Sequence, residues 1–165
     1  GKVAGFSGGL ISYRFGSKQK LLESTAQRIL DLWRERVLLP SLAEAQGIDF
    51  LELTGRRYLQ AVETKSDLML AQFRLMNESY STCKELRPFF SDYDKEVRQG
   101  IVDILEPLQK SGEIDQKVNL DDFAVVYMGM LRGVAVQYFV DGEAVDLEKA
   151  YKTIALTCKR VLMEK

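Results

Sequence analysis

Apolar residues recur at steps of three and four along most of the chain, and this helical periodicity limits the fold more than any other feature. The first long seam consists of Leu22, Ala26, Ile29, Trp33 and Val37. No segment shows sustained alternation of apolar and polar residues joined by Asn-Gly or Asp-Gly turns, which would be typical of β-hairpins. With 165 residues, of which 46% are hydrophobic, the chain can bury a core of its own. We therefore predict an all-α protein.

Capping residues and prolines predict where the helices begin and end. A proline disfavours the helical conformation of the residue before it, so Pro40 should end the first helix, and Pro107 should bend a later one. The predicted helices run from Ser17 to Pro40, from Asp49 onward, from Ser66 or Asp67 to about Pro88, from about Asp92 to Gly112, from Asn119 to Val140, and from Asp146 to the C-terminus.

The composition excludes several classes of site. Histidine is absent, which excludes His-ligated metal sites and hydrolases that use an imidazole base. The two cysteines, Cys83 and Cys158, lack C-x-x-C spacing and predict neither a zinc site nor a disulfide framework. Because no carboxylate pair or nucleophile-base set emerges either, we expect no enzyme and no cofactor. The N-terminal residues lack the features of a secretory signal, and we expect a cytoplasmic protein.

The stretch from Phe123 to Val140 is almost continuously apolar, close to the ~17 to 20 residues that cross a bilayer. Arg132 would then lie near the bilayer centre, at a cost of at least ~2.5 kcal/mol. We therefore predict a helix that is buried on nearly all sides in a soluble protein. Arg132 would form an inter-helix ion pair or extend to the surface, or else meet a ligand carboxylate.

The first 22 residues carry Lys2, Arg14, Lys18 and Lys20 but no acid, whereas the whole chain has 23 Lys plus Arg against 24 Asp plus Glu. A local basic surface on a near-neutral protein is the footprint expected of a nucleic-acid contact. The alternative is that Lys18 and Lys20 are merely the solvated start of a helix.

Nine residues stand in a fixed order near the N-terminus: Ala4, Gly5, Ser7, Gly9, Ile11, Phe15, Ser17, Lys18 and Leu21. This order resembles the helix-turn-helix of the TetR family of bacterial transcriptional regulators, whose pattern is close to A-G-V-S-x-G-x-[LI]-Y-x-[YH]-F-x-[ST]-K-x-x-L. Gly5 would permit the positive φ of the tight turn, and Ser7 would cap the short second helix. Beyond Val37 the resemblance is architectural only.

The chain departs from the family pattern at four positions of this run. Gly8 stands where a basic or polar residue is common, and Ser12 replaces a frequent Tyr, whereas Arg14 and Lys20 add positive charge. The chain also begins inside the first helix of the motif. We therefore expect it to be a fragment of a longer protein, or a chain from which those residues were lost.

The resemblance implies a homodimer that binds palindromic operator double-stranded DNA. The short helix from Ser7 to Tyr13 would enter the major groove, with Leu10 and Ser12 as base-edge contacts. Tyr13, Arg14 and Lys18 would contact phosphates. Residues 1–40 would form the partial DNA-binding domain with its connecting helix, and residues 41–165 the ligand-binding and dimerisation domain.

A small apolar effector is also implied by the resemblance, as is a helical body that holds it. Flexible and aromatic side chains at helical spacing offer a lining for such a pocket: Met69, Phe73, Met76, Tyr80, Ile101, Leu105, Phe123 and Tyr127. A filled core explains the same pattern equally well. On binding, the effector would tilt the long helix from Ser17 to Leu39 as a lever and release the operator.

Two helices resemble the family's contribution to a four-helix dimer interface. Gly129 and Gly133 form a G-x-x-x-G that lets another helix approach closely. The last helix has a heptad-like seam of Leu147, Tyr151, Ile154, Cys158 and Val161. The interface would contain Gly129, Gly133, Tyr151, Ile154 and Cys158, with intrachain packing as the alternative.

We thus expect a ligand-responsive transcriptional regulator, a repressor as in most of this family. The alternative is an all-α dimer that binds a hydrophobic molecule or a protein and does not contact DNA.

Overall fold

The structure of the protein, a computed structural model, describes the backbone of residues 18–64 and 66–163 and the side chains of residues 20–64 and 67–163. Within these ranges the chain is helical and contains no strand, which confirms the all-α prediction. The α-helices are α1 (Lys18–Trp33), α2 (Leu39–Glu44), α3 (Gly47–Thr64), α4 (Ser66–Tyr80), α5 (Arg87–Ser111), α6 (Leu120–Val140) and α7 (Leu147–Met163). A π-helical segment, Arg34–Leu38, joins α1 to α2, and a 3-10 turn, Lys84–Leu86, precedes α5.

Several helix ends lie where the capping residues predict them. The Asn119 side chain accepts a hydrogen bond from the backbone N–H of Asp122 at 3.1 Å, and α6 begins one residue later. Asp146 accepts from the backbone N–H of Lys149 at 2.9 Å at the start of α7. Gly112 ends α5 with a φ of 83°, a left-handed conformation that glycine adopts without steric cost.

The prediction that Pro40 ends the first helix is wrong, because the chain continues through it into α2. In a regular α-helix a proline crowds the carbonyl four residues before it. Here the backbone N–H of Leu39 donates to the carbonyl of Arg34, five residues back. This wider turn directly precedes Pro40 and changes the register at which the proline enters the helix, so helical structure persists to Glu44.

Three other boundaries differ from the prediction. Asp49 lies in the first turn of α3, which already begins at Gly47. The third helix ends at Tyr80, well before Pro88. Pro88 instead lies in the first turn of α5, where a backbone N–H would have no intrahelical partner, and α5 therefore begins at Arg87 rather than near Asp92.

The main hydrophobic core lies between α3, α4, α5, α6 and α7. Its innermost side chains have almost no solvent exposure: Leu59, Val62, Leu105, Ile114, Ala124 and Leu162. A smaller cluster of Ala26, Leu86 and Phe90 attaches α1 to the start of α5. The first helix of the described chain is therefore anchored to the body by side chains far from it in sequence.

Helix α6 is long and apolar enough, by length and composition, to cross a membrane, a property it shares with core helices of soluble proteins. The prediction that it is buried on nearly all sides is wrong, since 33% of its most apolar window is buried. One side packs into the core through Phe123, Tyr127 and Leu131, and the opposite side exposes valines. The neighbouring elements of this chain cover only part of its apolar surface.

Candidate functional site

Most of the predicted DNA contacts lie outside the described residues. These are Ser7, Leu10, Ser12, Tyr13 and Arg14, together with the side chain of Lys18. The backbone of α1 begins at Lys18 and leads from this region into the body. The candidate site within the described chain therefore consists of the attachment of α1, the polar groups beneath it, and the surfaces that remain open.

Two adjacent residues of α3 hold the continuous helix formed by α1, the π segment and α2, which we call the connecting helix. Before the π segment, the ring of Trp33 meets the ring of Tyr58 edge-on, with centroids 5.4 Å apart and planes at 80°. After it, Arg57 Nη1 donates to Ser41 Oγ at 2.9 Å, and Arg57 Nη2 donates to both carboxylate oxygens of Glu44 at 2.8 and 2.7 Å. Ser41 is fully buried and donates in turn to the Val37 carbonyl at 2.7 Å.

A polar cluster lies beside Tyr58, between α3, α5 and α6. Arg132 Nη1 and Nη2 donate to the two carboxylate oxygens of Asp94 at 2.8 and 2.5 Å. Of the roles predicted for Arg132, the structure shows the inter-helix ion pair. Burial opposes the charge on the Arg132 guanidinium, but the hydrogen bonds and charge of Asp94 outweigh it and raise the Arg132 pKa. Burial also raises the pKa of Tyr93 to about 12 and raises that of Tyr58, and both rings lie within the field of Arg132 and Asp94.

This arrangement gives Tyr58 two sets of neighbours. One is the Trp33 ring of the connecting helix, and the other is the charged pair of Arg132 and Asp94 in the body. A change in the polar cluster that moves Tyr58 would therefore reach the connecting helix through direct contact.

The predicted effector residues lie mostly in the filled core. Six of them belong to the main cluster: Met69, Phe73, Ile101, Leu105, Phe123 and Tyr127. Phe73 contacts Phe139 edge-on with centroids 5.4 Å apart, and the Tyr127 hydroxyl donates to the Leu51 carbonyl at 2.7 Å. Met76 is partly buried against both hydrophobic clusters, and Tyr80 is 57% exposed at the end of α4. The structure thus brings six of the eight together and leaves Tyr80 apart.

Two open grooves are lined mostly by other residues. A groove of about 370 Å³ between α6 and α7 has an apolar lining that includes Phe123, Val126, Met130, Cys158 and Val161. Another, of about 610 Å³, lies between α1 and α4 and is lined by Leu21, Arg28, Leu32 and Leu68 among others. Of the predicted effector residues, only Phe123 lines either groove.

The residues predicted for the dimer interface separate into two groups. Tyr151, Ile154 and Cys158 are buried within one chain, and the Tyr151 hydroxyl donates to the Glu52 carbonyl of α3. Gly129 and Gly133 face outward, and a Cβ at either position would lie more than 4 Å from every other helix in the described part of the chain. These three residues of α7 therefore pack inside the protomer, whereas Val161 of the same seam is exposed and the glycines of α6 remain open to a partner.

Exposed valines flank these glycines along α6, and Val161 of α7 lines the adjoining groove with Val126. We call this surface the α6–α7 face, and it comprises Val125, Val126, Gly129, Gly133, Val136 and Val140 of α6 with Val161 of α7. The exposed fractions of its larger side chains run from 47% for Val136 to 83% for Val140. A monomeric protein seldom leaves so many neighbouring apolar groups in water.

Sequence reasoning missed the contacts of the connecting helix and the exposed valines. No local pattern pairs Trp33 with Tyr58 or Ser41 with Arg57, because the partners belong to different helices. The valines did leave a signal, since α6 has more apolar residues than a single core-facing stripe requires.

Comparison with known proteins supports the fold. No protein-family model matches the chain, and no curated protein sequence matches it. A crystal structure of a protein from Rhodococcus sp., assigned to the TetR family of transcriptional regulators, is similar over 98% of this chain and 84% of that chain, with a TM-score of 0.73 and 20% sequence identity. The chain therefore has a TetR-like all-α fold, as the N-terminal run of matching residues led us to expect.

Proposed function

We propose that the protein is a DNA-binding transcriptional regulator that acts as a homodimer and responds to a small apolar effector. The observation that carries this proposal is the TetR-like fold, which extends over 98% of the chain. The N-terminal run from Ala4 to Leu21, which resembles the helix-turn-helix of the same family, supports it independently. Regulators of this kind act in the cytoplasm on chromosomal DNA.

DNA recognition is assigned to residues 1–40, which precede or belong to the connecting helix. Leu10 and Ser12 would meet base edges, whereas Tyr13, Arg14 and Lys18 would meet phosphates. The positive charges of this region, on a chain with a net charge of −1, support a local phosphate contact.

Dimerisation is assigned to the α6–α7 face. Gly129 and Gly133 have no side chain to keep a partner helix away, and the valines around them would gain from burial. Two copies of this face, related by a two-fold axis, would form a four-helix contact with each protomer contributing α6 and α7. A two-fold dimer matches a palindromic operator.

Effector binding is assigned to the body formed by residues 41–165. Phe73 of α4 contacts Phe139 of α6, Met69 belongs to the same core cluster, and Met76 packs against that cluster. Methionine adapts its shape with little strain. A ligand inserted there would displace packed side chains, shift the population of the connecting helix and release DNA, which describes a repressor.

Selection from a pool of random duplexes tests the proposal. The full-length protein is expected to enrich an inverted repeat whose half-sites are centred about 10 base pairs apart or a multiple of that distance. Failure to enrich any sequence over an empty matrix would contradict it and favour an all-α dimer that binds a hydrophobic molecule or a protein.

A further inference from the structure

The π segment Arg34–Leu38 interrupts the connecting helix at the point where the helix enters the body. π-helical turns are rare and are found mostly as single turns inside α-helices, frequently at functional sites. None of the residues of this segment is buried, and Arg34, Glu35 and Arg36 are exposed in succession. Only Leu38, at its end, packs against the main core, so core packing holds the segment at one side and leaves its first three residues free of it.

The segment is instead fixed by the contacts on its two sides. Trp33 rests against Tyr58 before it, and Ser41 is bound by Arg57 after it. The second contact is the firmer one, because Ser41 is fully buried and Arg57 also binds both carboxylate oxygens of Glu44. An edge-on contact of two rings adds only a modest stabilisation beyond burial.

Two hydrogen-bond registers are available to Leu39. In the observed register its N–H donates to the Arg34 carbonyl. In an α-helical register it would donate to the Glu35 carbonyl, and Pro40 would crowd the carbonyl of Arg36. The proline therefore disfavours the α-helical register without breaking the helix.

We propose that the π segment is a two-state hinge that slips between these registers and that the Tyr58 ring, which contacts Trp33, sets the balance between them. The biological role of this hinge rests on the proposed function, because the hinge would set the orientation of the proposed DNA-binding residues. A slip of one residue rotates α1 by up to about 100° and moves it along its axis by about 1.5 Å relative to α2. In the second register α1 would therefore give up the packing of Ala26 against Leu86 and Phe90. A minor register populated at about 0.1 to 10% would suffice for a ligand to select.

Relaxation-dispersion NMR tests the hinge without DNA or effector. Trp33 is the only tryptophan, so its indole N–H gives one resonance at the edge of the segment. Register shifts occur in microseconds to milliseconds, and we expect exchange broadening of this resonance and of the Leu39 amide at one common rate. Flat profiles for both groups in the wild-type protein would overturn the proposal.

A π turn contains one residue more than an α-helical turn. Deletion of the exposed Glu35 removes one residue from the π segment and should leave one continuous α-helix. The exchange is then lost, whereas Glu35→Ala, which keeps the chain length, retains it. Retained exchange in the deletion variant would overturn the proposal. If that variant does not fold, Pro40→Ala serves instead. This substitution removes the clash with the Arg36 carbonyl in the α-helical register and should raise the population of that register at least several-fold. Unchanged populations would overturn the proposal as well.

The role of the Tyr58 ring is tested by the same measurement. Tyr58→Ala removes the ring that holds Trp33 and should change the populations of the two registers, whereas Tyr58→Phe keeps the ring and should not. Equal populations in all three proteins would overturn this role. Because these readouts use no DNA, a protein that exchanges as expected but enriches no duplex would refute the proposed function and leave the hinge standing.

Discussion

Arg132 of α6 and Asp94 of α5 form an ion pair with two parallel hydrogen bonds, and only 25% and 23% of their side chains are exposed. Arginine suits such a site because its planar guanidinium matches a carboxylate in two places at once. The pair fixes the relative position of two core helices beside Tyr58. It also accounts for a cation within an otherwise apolar helix.

Removing one partner of this pair should destabilise the fold. Asp94→Asn leaves the Arg132 charge partly buried without a counter-charge, and we expect a loss of about 2 to 3 kcal/mol in the free energy of unfolding, measured by urea denaturation at fixed protein concentration. Asp92→Asn is the control, since its pair with Lys95 is 69% and 65% exposed. We expect a change below about 0.5 kcal/mol there. Equal losses in the two variants would contradict this role of the pair.

Gly133 should be essential for dimerisation but not for folding. A Cβ at this position would lie more than 4 Å from every other helix in the described part of the chain, whereas the bulk of a leucine would hold a partner helix away. We expect Gly133→Leu to weaken the dimer by about 1 to 3 kcal/mol in sedimentation experiments, with an unchanged helical circular dichroism spectrum. Gly100→Leu on α5 is the matched control, because a Cβ there is equally unobstructed. A normal dimer in the Gly133 variant would place the interface elsewhere.

Stability should fall steeply at alkaline pH. Burial raises the pKa of the Cys158 thiol to about 11 and that of Tyr151 to about 12, so folding favours their neutral forms. The unfolded chain ionises at the lower, ordinary values. The stabilisation is therefore complete below about pH 8.5 and is lost as pH rises toward 12. Each group contributes up to about 1.4 kcal/mol per pH unit within its own range.

Urea denaturation between pH 8 and 11 measures this loss. Cys158→Ala should make the decline between pH 9 and 11 shallower than in the wild-type protein. A free energy of unfolding that does not vary over this range would show that these groups are not shielded from water in the folded protein.

Substitutions in the proposed DNA-binding region should distinguish the proposed phosphate contacts from the proposed base contacts. In the full-length protein, Lys18→Ala should weaken binding to all duplexes nearly equally and reduce the dependence of log affinity on log salt by about one. Leu10→Ala should change the preferred sequence instead. An unchanged salt slope would remove Lys18 from the phosphate contacts, and a uniform loss for Leu10 would count against a base contact.

The structure shows why some helix ends were predictable and others were not. Asn119 and Gly112 act on backbone groups within a few residues, so the sequence beside them determines the boundary. Pro40 does not act alone. The connecting helix continues through it in a changed hydrogen-bond register. The contacts that hold this helix on both sides of the π segment come from Arg57 and Tyr58 of α3.

The direction in which an apolar seam faces is equally non-local. The heptad spacing of α7 predicts that Tyr151 and Ile154 lie on one face, and they do. Spacing does not say whether that face meets a helix of the same chain or of a partner. The packing of α3 against this face of α7 decides which of the two it meets. On α6, Gly129 and Gly133 are left open to a partner.

The central claim is that the protein recognises a specific DNA sequence as a dimer, and a fluorescence anisotropy titration tests it most directly. The full-length protein is titrated into the most enriched duplex and into a shuffled duplex of the same composition at physiological salt. We predict a stoichiometry of two protomers per duplex and an affinity at least about 10³-fold higher for the enriched duplex. Equal affinity for both duplexes, or no binding even at low salt, would contradict the claim.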